Sequence, residues 1–180
     1  MTTPEAEPAS GLPGVPDGFQ RLWTPHRMAY IDSNNAAERS SGCPFCESPG
    51  KSDAEGLLVH RGDECFVVMN LFPYNPGHLL VCPYRHVADY TDLTEPETAE
   101  VARLTQTAMR VLREVSGPAG FNLGMNQGDL AGAGVAGHLH QHVVPRWKGD
   151  ANFLPIIGQT KALPQLLDDA RGRLAEAWPR

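Results

Sequence analysis

Three of the chain's seven histidines fall at alternate positions in HLHQHVV, His138 to Val144, and two of its four cysteines fall in Cys43-Pro-Phe-Cys46. On a strand, successive side chains point to opposite faces, so His138, His140 and His142 project together while Leu139, Gln141 and Val143 project the other way. Such a row can be a solvated surface feature, although an exposed strand favours Thr, Lys or Glu and gains nothing from histidine. It can also be a metal site. Neighbours two apart on one strand, however, are spread by about 7 Å, too far for three to converge easily on one ion. The third reading is chemical: a neutral imidazole attacks phosphorus and, once phosphorylated, leaves readily, so one histidine can divide a phosphoryl or nucleotidyl transfer into two steps. Its neighbours then support the nucleophile and donate hydrogen bonds to phosphate oxygens or the leaving group. The preceding GDLAGAGVAG suits that chemistry, because it has little side-chain bulk and exposes backbone N–H groups that can approach a polyphosphate closely.

Cys-x-x-Cys spacing lets two thiolates bind one metal ion from a tight turn, and it also fits a thioredoxin-like redox pair. No redox βαβ pattern surrounds Cys43 and Cys46. Cys65 and Cys82 lie within apolar strand patterns and read as buried small apolar residues.

The elements that must position these groups follow from pattern and punctuation. Residues 1–18 are rich in Pro, Gly, Ala and Glu and read as a tail. Residues 19–56 form an arm, RLWTPHRMAYI, and a polar loop that delivers the chain to CPFC. Residues 57–147 are the core domain. GLLVHRGDECFVVMN reads as a hairpin across Gly-Asp, LFPYNPG interrupts, and HLLVCPY resumes as a third strand. Thr94 with Glu97 forms a capping box, Pro96 is tolerated in the first turn, and Gly117-Pro118 stops the helix between them. Val101, Leu104, Ala108, Leu112 and Val115 define its apolar face, which covers the sheet. FNLGMNQ and HLHQHVVPR supply strands four and five. Residues 148–180 are a C-terminal extension whose LPQLLDDARGRLAEAW is a helix weakened by Gly172. The expected class is α+β, with a mostly antiparallel five-stranded sheet, one long helix and a C-terminal helix.

At 180 residues, 41% hydrophobic and with a net charge of -6, the chain reads as an ordinary soluble protein whose partners are small molecules, not nucleic acid or membrane. The start lacks the basic and apolar stretches of a secretory signal, and the cysteine use suits a reducing compartment; the expected location is cytoplasmic.

His-Leu-His-Gln-His-Val-Val resembles the histidine-triad (HIT) signature, and NLFPYNPGHLLVCPYRHV, from Asn70 to Val87, is similar to the family's upstream strand-loop-strand segment. Gln141 departs from the apolar preference at its position but points away from the row. The resemblance implies a HIT-like fold in which His140 attacks the α-phosphorus of a nucleotide to form a nucleotidyl-histidine. It implies His142 on the phosphates, with Asn126 and the loop around Gly132 and Gly134 holding them. Asn70 stands where relatives usually carry Asp for the ribose hydroxyls. Many relatives bind structural zinc; transferred by position, its ligands here are Cys43, Cys46, His86 and His138. PRWKGDANFLPIIG and the arm resemble the branch that includes actinobacterial diadenosine tetraphosphate phosphorylases, which split a dinucleoside polyphosphate with inorganic phosphate to ATP and ADP. That resemblance makes Trp147 a candidate at the substrate end of the pocket, Arg146 or Lys148 a candidate for phosphate charge, and a homodimer the expected assembly. The alternatives are a hydrolase of dinucleoside polyphosphates or nucleoside phosphoramidates, and a non-enzymatic nucleotide-binding regulatory protein. His78 reads as a core or turn histidine, and His26 and His60 carry no signal.

Overall fold

Three apolar runs separated by a Gly-Asp turn and by a Pro- and Gly-containing loop become three consecutive antiparallel strands. The computed structural model describes residues 42–150 and 164–179. The expectations for the tail, for the arm and for most of the loop after it lie outside those residues, as does the stretch 151–163. CPFC forms a one-turn helix α1, Pro44–Glu47. The strands are β1 (Leu58–Arg61), β2 (Cys65–Met69), β3 (Leu79–Pro83), β4 (Gly120–Gly124) and β5 (Gln141–Arg146), with the helices α2 (Glu95–Ser116) and α3 (Leu167–Glu176). They form one antiparallel sheet in the order β1-β2-β3-β5-β4.

The sheet's two faces serve different purposes. Val67, Met69, Leu79, Val81 and Val143 face the helices, packing on Val101, Leu104, Ala108, Val111 and Leu112 of α2 and on Leu174 of α3. At about 1.5–3 kcal/mol for each large apolar side chain buried, this layer supplies most of the driving force for folding. The opposite face carries Leu58, Phe66, Val68, Leu80 and Cys82, and Phe45 of α1 packs against it. His142 pairs with Leu80 and Leu80 with Val68, so the triad row lies on this second face.

The expected helix signals hold. Thr94 accepts from the Glu97 N–H, Glu97 returns a bond to the Thr94 N–H, and Gly117 closes the helix at φ 57°. The apolar stripe did not show that α2 also carries two buried carboxylates. Glu100 accepts the backbone N–H groups of Asp63, Glu64 and Cys65 and so ties the β1–β2 turn to the helix. A Cβ on Gly62 would come within 2.7 Å of that carboxylate, which is why the turn needs glycine there. Glu97 pairs with Arg85, whose guanidinium holds its carboxyl down to about 2, and anchors the segment that carries His86.

One boundary differs from expectation. β5 begins at Gln141, so His138 and His140 precede the ladder. Continuing the register places Leu139 opposite Pro83, which has no N–H to donate, and the Leu139 N–H turns to the Val87 carbonyl at 2.7 Å. The side-chain row survives this, because Phe45 touches both His138 and His140, and His140 touches His142.

Candidate active site and metal centre

The face of the sheet that the helices leave uncovered holds a cleft of about 630 Å³. Phe45 of α1, Asn70 and Tyr74 of the loop after β2, Asn126 just after β4, Gly134 of the glycine loop, and His140 with His142 line it. His140 is 5% exposed, and burial pushes its imidazole below the ordinary histidine range, so the ring is neutral at pH 7. Its Nδ1–H donates to the His138 carbonyl at 2.8 Å. The lone pair therefore resides on Nε2, the atom a nucleophile needs.

His142 is set differently. The Tyr74 N–H donates to His78 Nδ1 at 3.0 Å, so that nitrogen is an acceptor and the His78 proton sits on Nε2. His78 Nε2–H then meets His142 Nδ1 at 2.9 Å. The proton of neutral His142 is left on Nε2, a buried atom with no hydrogen-bond partner among the described residues. A buried N–H without a partner is costly, and a hydrogen-bond acceptor such as a phosphate oxygen placed in the cleft would relieve that cost. His78, completely buried, fixes the orientation of His142, a contact that the sequence reading of it as a core or turn histidine did not foresee. Its available signal was parity: it lies two residues before Leu80, the partner of His142, and so shares that face.

Burial, followed by the neighbouring His140, pushes His142 down to about 4. The unfolded chain takes up this proton near pH 6.5, whereas the folded chain waits until about 4. The associated stability is thus complete above pH 6.5 and is lost as the pH falls towards 4, by on the order of 3 kcal/mol. Denaturant titrations at pH 7 and at pH 4.5 should show this fall, and His142→Gln should reduce it.

A second constellation lies behind the row. His138 is fully buried, and its Nε2–H donates to the Pro83 carbonyl at 2.9 Å, which turns the Nδ1 lone pair towards the thiols. Cys43 Sγ and Cys46 Sγ lie 3.4 and 3.5 Å from that nitrogen, and Cys46 Sγ lies 3.3 Å from His86 Nδ1. The donor atoms of all four residues lie within 4.8 Å of one another. Bonds of about 2.3 Å to sulfur and 2.0 Å to nitrogen around a tetrahedral ion put donors about 3.5 Å apart, so the set fits a metal ion, and the His138 bond to the Pro83 carbonyl fixes the ring as such a ligand requires. Cys43, Cys46, His86 and His138 can hold a metal.

The other expected residues divide. Asn126 donates to the Gly132 carbonyl at 3.5 Å, and Gly132 takes φ 83°, a left-handed turn that brings Gly134 to the cleft. Asn70 lines the cleft and bonds His78. Trp147 does not come to it: at an odd offset from the triad row, it lies on the helix side, in a smaller cleft with Leu112 and Leu174, and its indole N–H donates to Ser116. Arg146 is engaged by Asp150 and Asn122, and Lys148 is exposed. Cys65 and Cys82 are buried, and burial pushes the Cys65 thiol up to about 12. No described helix is long and apolar enough to cross a membrane.

Comparisons with known proteins fall in line with this geometry. The HIT domain family model matches residues 51–149. A Mycobacterium tuberculosis protein named AP-4-A phosphorylase is 53% identical over 174 residues, covering 93% of this chain and 88% of its own. A Schizosaccharomyces pombe protein named bis(5'-nucleosyl)-tetraphosphatase (asymmetrical) is 37% identical over 82 residues, 46% of this chain and 44% of its own. Among solved structures, a Zn-bound histidine triad family protein from Mycobacterium smegmatis superposes with a TM-score of 0.62 at 28% identity, over 76% of this chain and 92% of that one.

Proposed function

Because the chain belongs to the HIT domain family, we propose that it cleaves diadenosine tetraphosphate with inorganic phosphate, giving ATP and ADP through a nucleotidyl-histidine. The observation that carries this is the pairing of a buried, neutral His140 whose Nε2 lone pair is free with a buried His142 Nε2–H that has no partner among the described residues. The extensive identity to a relative named AP-4-A phosphorylase supports the substrate. The Nε2 lone pair of His140 attacks the α-phosphorus, and the bond to the bridging oxygen breaks to release ATP. The developing imidazolium keeps its Nδ1–H on the His138 carbonyl, and His142 donates to a phosphate oxygen. An oxygen of inorganic phosphate then attacks the same phosphorus, the P–N bond breaks, and ADP leaves with His140 restored. Asn126 and the backbone at Gly132 and Gly134 hold phosphates; Asn70 retains one amide hydrogen for the ribose.

The metal of this proposal is zinc. Two thiolates and two imidazoles close a four-coordinate set, so the ion cross-links α1 to the triad segment and leaves no open position for substrate. A homodimer and a cytoplasmic location belong to the same proposal. The outer edge of β4 is unpaired among the described residues and Leu123 on it is 48% exposed, which favours a partner copy; four free thiols suit a reducing compartment.

Incubation of the purified protein with diadenosine tetraphosphate, with and without phosphate, tests the reaction. ATP plus ADP formed only with phosphate is the expected result. ATP plus AMP without it assigns water as the acceptor, the reaction that the name of the Schizosaccharomyces pombe relative describes. No turnover with tight nucleotide binding favours the regulatory alternative.

A further inference from the structure

Asn70 does more than line the cleft. Its Oδ1 accepts the Phe72 N–H at 3.0 Å, and because a backbone N–H only donates, this bond decides which way the amide faces. Its Nδ2 is thereby turned to His78 Nδ1 at 3.2 Å, beside the Tyr74 N–H on the same nitrogen. Two donors aimed at one ring nitrogen keep it unprotonated. From there the order is forced: His78 Nε2–H to His142 Nδ1, and His142 Nε2–H to the cleft.

We propose that Asn70 is a positioning residue that, together with the Tyr74 N–H, guards the direction of this chain, keeping His78 a neutral one-way donor and the His142 proton on the nitrogen that faces substrate. A carboxylate of the same shape would do the reverse. It offers His78 Nδ1 an acceptor in place of a donor and draws a proton onto that nitrogen. A neutral His78 would then accept from His142, and a charged one would put a cation against His142.

The kinetic arm of the test rests on the phosphoryl chemistry proposed for His140; the spectroscopic arm does not, so the two can fail separately. Asn70→Asp and Asn70→Ala are made in the full chain. Long-range ¹H–¹⁵N correlation spectra read the protonation of each nitrogen of His78, and unchanged backbone signals away from the cleft show that each variant is folded. The expected result is an unprotonated His78 Nδ1 in the parent and in Asn70→Ala, where the Tyr74 N–H still donates, and a protonated one in Asn70→Asp. In kinetics, Asn70→Asp should lose about tenfold or more in kcat with KM little changed, and be slower than Asn70→Ala. A residue that only held the ribose hydroxyls would give the opposite order, because a carboxylate accepts from hydroxyls more strongly than an amide. An unchanged His78 in Asn70→Asp, or an aspartate variant with a kcat equal to or above that of the alanine variant, overturns the proposal.

Discussion

Replacing His140 with alanine should lower turnover of diadenosine tetraphosphate by about four orders of magnitude or more while leaving the fold standing. The size follows from the role. His142 Nε2 carries the proton, so among the described residues His140 is the buried cleft imidazole with a free lone pair, and a two-step path has no first step without one. Stability should change little by comparison, because the His140 ring packs on the Phe45 and His142 rings and its hydrogen bond among the described residues goes to a neighbouring carbonyl. Rapid acid-free quenching of the parent with substrate lacking phosphate should trap label on the protein, and the alanine variant should trap none. A variant that keeps more than about a hundredth of the parent rate removes His140 from the nucleophile's place.

The second large effect is expected from the metal set. Elemental analysis of the purified protein should find one metal ion per chain, and replacing Cys43 and Cys46 together with serine should abolish it. Free metal held at a thousand times its dissociation constant stabilises a fold by about 4 kcal/mol, so loss of the ion should lower the melting temperature by roughly 10 °C or more. The helix-side core keeps the metal-free chain from unfolding outright, since none of the four ligands belongs to it. Activity should fall as well, because Phe45 lies between the two cysteines and packs at 5.0 Å on the His140 ring. Identical melting curves for parent and double variant would leave the four residues without a metal to hold.

Much of this protein was legible in its sequence. Local chemistry dictated the elements: a capping box and a left-handed glycine bound α2, and turn residues separate β1, β2 and β3. Alternation alone placed His138, His140 and His142 in one row, since side-chain direction along an extended chain depends on nothing distant. The Cys-x-x-Cys spacing marked a site for two ligands. Sequence reasoning missed parity at Trp147, where it relied on the resemblance and the side chain lies on the helix side, and missed a partner's effect at the start of β5, because Pro83, which has no N–H to donate, is remote in sequence from Leu139 opposite it.

What only the tertiary structure decided is how the protons are arranged. The ring of His142 meets His78, 64 residues earlier, and the ring of His138 meets Cys43, 95 residues earlier. Nothing in HLHQHVV distinguishes its three imidazoles, yet Pro83 turns the Nδ1 lone pair of one towards the two thiols, a neighbour's carbonyl leaves the Nε2 lone pair of another free, and His78 keeps the proton of the third on Nε2. The physical reason is that a neutral imidazole has two nearly equivalent tautomers, and the choice falls to whichever hydrogen-bond partner the fold brings against it.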